Sequence, residues 1–70
     1  MKHLTEREIE ILKLVVDEIS TLDIASKLEL SKRTVDTHRR NIMRKTETTN
    51  LIGLFKYALK NNIVGININK

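Results

Sequence analysis

The chain contains no cysteine, no proline and no tryptophan. Without cysteine there are no disulfide staples and none of the usual structural zinc sites. Its aromatic residues are Phe55 and Tyr57 alone. So few ring side chains, and no proline to break a helix, favour an all-helical chain over a sheet. No apolar run approaches the ~20 residues of a membrane span, and no secretory hydrophobic segment precedes the first periodic stretch. These features point to a reduced, cytoplasmic domain. His3 and His38 stand far apart without an acidic ligand pattern around them, so no metal site is expected. Neither a nucleophile–base pair nor a phosphate loop is recognisable, so no enzyme is expected and no cofactor is needed. At 70 residues the chain makes one small domain, burying roughly 60% of the surface its unfolded form exposes.

What is present is positive charge, and it is concentrated. Of the net +4, residues 1–30 carry four Lys/Arg against seven Asp/Glu (−3), residues 31–46 six against one (+5), and residues 47–70 three against one (+2). The basic stretch, Ser31 to Lys45, reads SKRTVDTHRRNIMRK. At helical spacing Val35, His38, Ile42 and Thr46 share one face, while Arg33, Thr37, Arg40 and Arg44 share the opposite one. Such a helix can rest on an apolar core and present a cationic ridge outward. A DNA major groove admits an α-helix between two phosphate walls, so this stretch is expected to be a recognition helix for double-stranded DNA. The competing readings are an ordinary solvated face and a basic surface for an acidic protein partner.

Start and stop signals divide the rest into helices at about 6–17, 21–28, 32–46 and 50–60. Thr5 and Glu8 form a capping box, with Leu4 and Ile9 as a hydrophobic staple. Glu6, Glu8 and Glu10 therefore read as first-turn carboxylates, not as a catalytic cluster. Ile9, Leu12, Val16 and Ile19 form the expected buried stripe of the first helix, thickened by Leu14 and Val15. Ser20 caps the second helix, whose apolar side is Ile24, Ala25 and Leu28. Ser20 and Thr21 could also meet a phosphate at that helix start. Leu30 is the plug of a tight turn, Glu29 to Ser31, and a short helix, tight turn and longer basic helix spell helix-turn-helix.

Thr48 or Thr49 is expected to cap the fourth helix. Ile52, Phe55 and Leu59 would face the core. Leu51, Leu54 and Ala58, with Gly53 allowing close approach, would form a second apolar stripe that pairs two copies of the chain. Asn61 and Asn62 end this helix, Ile63 and Val64 fold back, and residues 65–70 read as a frayed end.

Three motifs carry a resemblance: Leu4-Thr5-x-Arg7-Glu8-x-Glu10-Ile11-Leu12, then Ile24-Ala25-x-x-Leu28, then Ser31-x-x-Thr34-Val35-x-x-His38-x-x-Asn41-Ile42-x-x-Lys45. Together they resemble the LuxR-type (GerE-like) DNA-binding domain over Leu4 to about Val64. The resemblance implies a four-helix fold without a wing, with the third helix in the major groove and the fourth pairing subunits on two-fold sites. It implies base contacts from Asp36, Thr37 and Arg40, and phosphate contacts from Lys32, Arg33, Thr34, Arg44 and Lys45. It gives His38 a structural or phosphate-positioning role. It also implies the C-terminal effector domain of a two-component response regulator, with RNA polymerase as a further partner. Sigma-factor region 4 domains share a similar opening and are the nearest alternative.

The departures from the family pattern are specific. Asp36 stands where many members carry Lys. It is expected to tune sequence preference and lower affinity, either accepting from a cytosine N4 or pairing with Arg40. Glu18, Glu29, Glu47 and Asn62 occupy positions that usually hold turn glycines. Thr46 replaces a usual buried Leu, and Leu51 a usual Arg.

Overall fold

A computed structural model describes residues 3–65. Within them lie four helices: α1 (Glu6–Val16), α2 (Thr21–Leu28), α3 (Lys32–Thr46) and α4 (Leu51–Lys60). α2 and α3 have the expected limits. α1 ends one residue early and α4 starts one residue late. The expected frayed end lies, beyond Gly65, outside the described residues.

Each helix starts on a side chain that accepts an otherwise unpaired backbone N–H. Thr5 Oγ1 accepts from Glu8 N–H at 3.1 Å, and Glu8 Oε1 accepts from Thr5 N–H at 2.8 Å, closing the capping box. Ser20 Oγ accepts from Asp23 N–H at 3.1 Å and Ser31 Oγ from Thr34 N–H at 3.0 Å. For α4 the cap is Asn50, whose Oδ1 accepts from Gly53 N–H at 2.8 Å. Neither Thr48 nor Thr49 does this. Thr48 instead shares a hydroxyl–hydroxyl bond of 2.9 Å with Thr46.

All four helices stop in the same way. Glu18 (φ 64°), Glu29 (φ 58°), Glu47 (φ 57°) and Asn62 (φ 58°) are left-handed. In each turn the next residue donates its N–H to a carbonyl five positions back: Ile19 to Leu14, Leu30 to Ala25, Thr48 to Met43 and Ile63 to Ala58, at 2.8–3.0 Å. This is the Schellman arrangement. The positions where the family pattern has glycine thus keep a glycine-like backbone without glycine, at on the order of 1 kcal/mol each. Ile19, Leu30 and Ile63, which follow three of these residues, pack against the core. That apolar contact offsets part of the backbone cost.

The core is Ile11, Leu12 and Val15 of α1, Ile24 and Ala25 of α2, Val35 and Ile42 of α3, and Leu54 and Ala58 of α4. α1 and α3 each contact all the other helices. The inward line of α1 is Glu8, Ile11, Leu12 and Val15, so that Leu12 and Val15 are buried as expected and Ile9 and Val16 are not. Ile9 and Val16 are only half-buried, because α1 is turned so that the Glu8 carboxylate faces α3.

α4 is likewise turned from its expected setting. Leu54 (2% exposed) and Ala58 (fully buried) belong to the core, whereas Ile52 is 70% and Phe55 38% exposed. Leu54 and Ala58 therefore cannot form a contact between copies, although Leu51 remains on the surface. The physical reason is that the Leu54 side chain fills the core while the methyl of Ala58 leaves room for the returning chain. Ile63 N–H and Val64 N–H both donate to Ala58 O, at 2.8 and 3.4 Å. Gly53 is not needed for close approach: a Cβ there would meet Asn50 and Thr48 only at ordinary contact, 3.5 Å.

Candidate nucleic-acid interface

The sequence of α3 divides cleanly around its axis. Val35, Ile42 and Thr46 are buried, and Lys32, Arg33, Thr37, Arg40 and Arg44 are exposed. Thr46 Oγ1 donates back to Ile42 O at 2.8 Å. This satisfies the hydroxyl that stands where a Leu would be usual. His38 is half-buried between the two faces, consistent with a structural position.

The N-terminal end of α3 is held by Ser31. Besides capping Thr34 N–H, its hydroxyl donates to Thr34 Oγ1 at 2.9 Å. The Thr34 hydroxyl proton stays free to donate outward. Asp36 does not pair with Arg40. Its Oδ2 accepts from Lys32 Nζ at 2.9 Å. Arg40 is left outward-facing one turn further on.

At the other end of the helix Lys45 departs from its expected role. Its Nζ donates to Glu8 Oε1 at 2.8 Å, with the two side chains only 20% and 5% exposed. Lys45 is therefore engaged with α1 and withdrawn from the phosphate-facing row. Burial raises the Glu8 carboxyl, but the Lys45 ammonium and the Thr5 amide outweigh it and hold the group below its ordinary value near 4.5. Sequence reading gave Glu8 its cap and missed this partner 37 residues away. The available signal was that Glu8 lies in register with Ile11, Leu12 and Val15, a glutamate on an apolar line.

Ser20 and Thr21 open α2. Ser20 Oγ is occupied by Asp23 N–H, and the Asp23 carboxylate in the same turn weakens that terminus as an anion site. Among the described residues the Arg33, Thr37, Arg40 and Arg44 ridge thus stands clear, whereas Lys45 and Ser20 have intramolecular partners.

A short helix, a three-residue turn and a longer helix with one basic face make a helix-turn-helix, the arrangement with which DNA-binding domains offer a helix to the major groove. Comparison with known proteins agrees. Residues 2–58 match the family described as bacterial regulatory proteins, luxR family, and the chain belongs to that family. It is 46% identical over 63 residues to the uncharacterized response regulatory protein YgeK of Escherichia coli (strain K12), covering 90% of this chain and 43% of that protein. It is 40% identical over 63 residues to the oxygen regulatory protein NreC of Staphylococcus haemolyticus (strain JCSC1435), covering 90% and 29%. The crystal structure of the response regulator ChrA, from a heme-sensing two-component system, superposes with a TM-score of 0.82 at 31% identity, covering 91% of this chain and 32% of that one. The chain therefore spans less than half the length of the relatives it matches.

Proposed function

We propose that this domain is the C-terminal effector part of a cytoplasmic two-component response regulator, and that it binds a two-fold DNA site as a homodimer. The observation that carries the reading is the exposed cationic ridge of α3, set opposite its buried Val35–Ile42–Thr46 face. In this reading Asp36, Thr37 and Arg40 meet base edges. Arg33, Arg44, Lys32 and the Thr34 hydroxyl meet phosphates; from α2 the Ser20 hydroxyl, whose oxygen accepts the cap bond but whose proton is still a donor, and the Thr21 hydroxyl add weaker support. Lys45 has no part in it. The same reading includes contact with RNA polymerase by the whole regulator.

The dimer surface is revised by the packing of α4. Leu51, Ile52 and Phe55 are its large exposed apolar side chains, and they replace Leu54 and Ala58 as the contact between copies. Ile52→Lys should abolish pairing and leave the fold intact. Sedimentation of that variant against the wild-type chain, with and without duplex, checks this. Equal and strictly monomeric behaviour of both would remove the dimer from the account.

Selection of sites from random duplexes tests the function itself. Enrichment of a two-fold sequence with half-sites about one helical turn apart is expected, and without polymerase. That last condition separates this reading from a sigma-factor-like one. With Lys45 withdrawn, about three phosphates are neutralised per domain, so log K should fall with log salt at a slope of about −2.5 to −3. Salt-insensitive binding would contradict a phosphate-based mode.

A further inference from the structure

We propose that Lys32 and Asp36 act as one preformed donor–acceptor unit that reads a single G·C base pair, the ammonium on guanine and the carboxylate on the cytosine N4 amino group. The inference rests on the reading that α3 enters the major groove; it moves Lys32 from the phosphate row to the base edges and adds a base identity.

The first ground is that the pair is poorly placed for stability. Its side chains are 60% and 38% exposed, and an ion pair in water contributes little. The order is also unfavourable. Lys32 is the first residue of α3, where the helix dipole disfavours a cation, and an acid four residues after a base is the weaker arrangement. Nor does the carboxylate help bind phosphate: on a face that otherwise offers Arg33, Arg40 and Arg44, it repels the groove walls.

The second ground is complementarity. The ammonium has three N–H donors and gives one to Asp36 Oδ2, leaving two. Asp36 Oδ1 has no hydrogen-bond partner among the described residues. The unit therefore presents two donors beside one acceptor. In the major groove a G·C pair offers two adjacent acceptors, guanine N7 and O6, and then the cytosine N4 donor. The match is in type and in order. An A·T pair alternates acceptor, donor, acceptor, so a carboxylate on adenine N6 would lie between two acceptors, and the thymine methyl follows. The intramolecular bond holds the carboxylate beside the ammonium, so the unit faces the groove already oriented.

The test is selection from random duplexes in low salt with the wild-type chain, Asp36→Asn, Lys32→Met and the double variant. Wild type should require G·C at one pair of each half-site, preferred roughly tenfold over A·T. Asp36→Asn should lose that preference, or shift it to adenine, which an amide reads through N6 and N7. Lys32→Met should weaken the same position, the double variant should lose no more than the worse single one, and all other positions should keep their preferences. The proposal is overturned if Asp36→Asn tightens binding to every sequence alike and leaves the selected site unchanged, because the carboxylate then only repels phosphate. If wild type enriches nothing, the DNA-reading function itself fails. That outcome is distinct from a selected site indifferent to Asp36.

Discussion

The two ends of α3 carry ion pairs of nearly equal length and opposite use. Lys45–Glu8 (2.8 Å) is mostly enclosed and joins α3 to α1, and Lys32–Asp36 (2.9 Å) is open to water and joins α3 to itself. The chemistry is the same, so burial and connectivity decide the difference. The enclosed pair is part of the scaffold, because removing one partner strands a charge in a dry place. The open pair adds little to stability and leaves its remaining donors and acceptor within reach of a ligand.

Four experiments sharpen that contrast. The largest effect should come from Lys45→Ala, which leaves the Glu8 carboxylate with Thr5 alone. A loss of about 2–3 kcal/mol is expected, read as a lower denaturation midpoint, and a change under 0.5 would mean that the pair is not structural. Glu29→Gly comes next, in the turn just before α3. It relieves the left-handed backbone and should add about 1 kcal/mol, a rise of roughly 4–8 °C in Tm. A fall would show that Glu29 contributes something other than strain. Third is pH. Glu8 is held below its ordinary value in the folded state. Its contribution is therefore full above about pH 4.5 and is lost as pH falls through the lower folded value. The stability of wild type should fall more steeply than that of Glu8→Gln as pH drops below about 4.5, and parallel curves would argue against the pairing. The smallest stability change belongs to Lys32→Ala, within about 0.5 kcal/mol, although its DNA selectivity should fall.

The same contrast explains what could be read from the residues alone. α2, its turn and α3 were legible because local signals agreed: Ser20 and Ser31 as caps, Leu30 as the plug, and charge and apolar spacing in step from Lys32 to Thr46. The left-handed turns at Glu18, Glu29 and Glu47 were marked by the family pattern, not by residue type, since glutamate alone gives no such hint, whereas at Asn62 the asparagine itself pointed to that conformation. α4 was not legible. Apolar side chains surround it, so periodicity could not say whether Leu54 or Phe55 faced inward, and that choice was made by packing against α1 and by the chain returning over Ala58. The Lys45 partner was hidden for a related reason: a contact across 37 residues leaves no local trace, and a basic residue at the end of a basic helix looks like one more phosphate ligand.

The central claim is that the outward face of α3 enters the groove while its inward face and the Glu8–Lys45 pair stay as they are. Titration of the ¹⁵N-labelled chain with a selected duplex in dilute salt tests this directly. Amide shifts should concentrate at Arg33, Thr37 and Arg40, with Ile11, Leu12 and Leu54 nearly still. Shifts confined to α4 or to the acidic face of α1, with the Arg33–Arg40 amides unmoved, would contradict it.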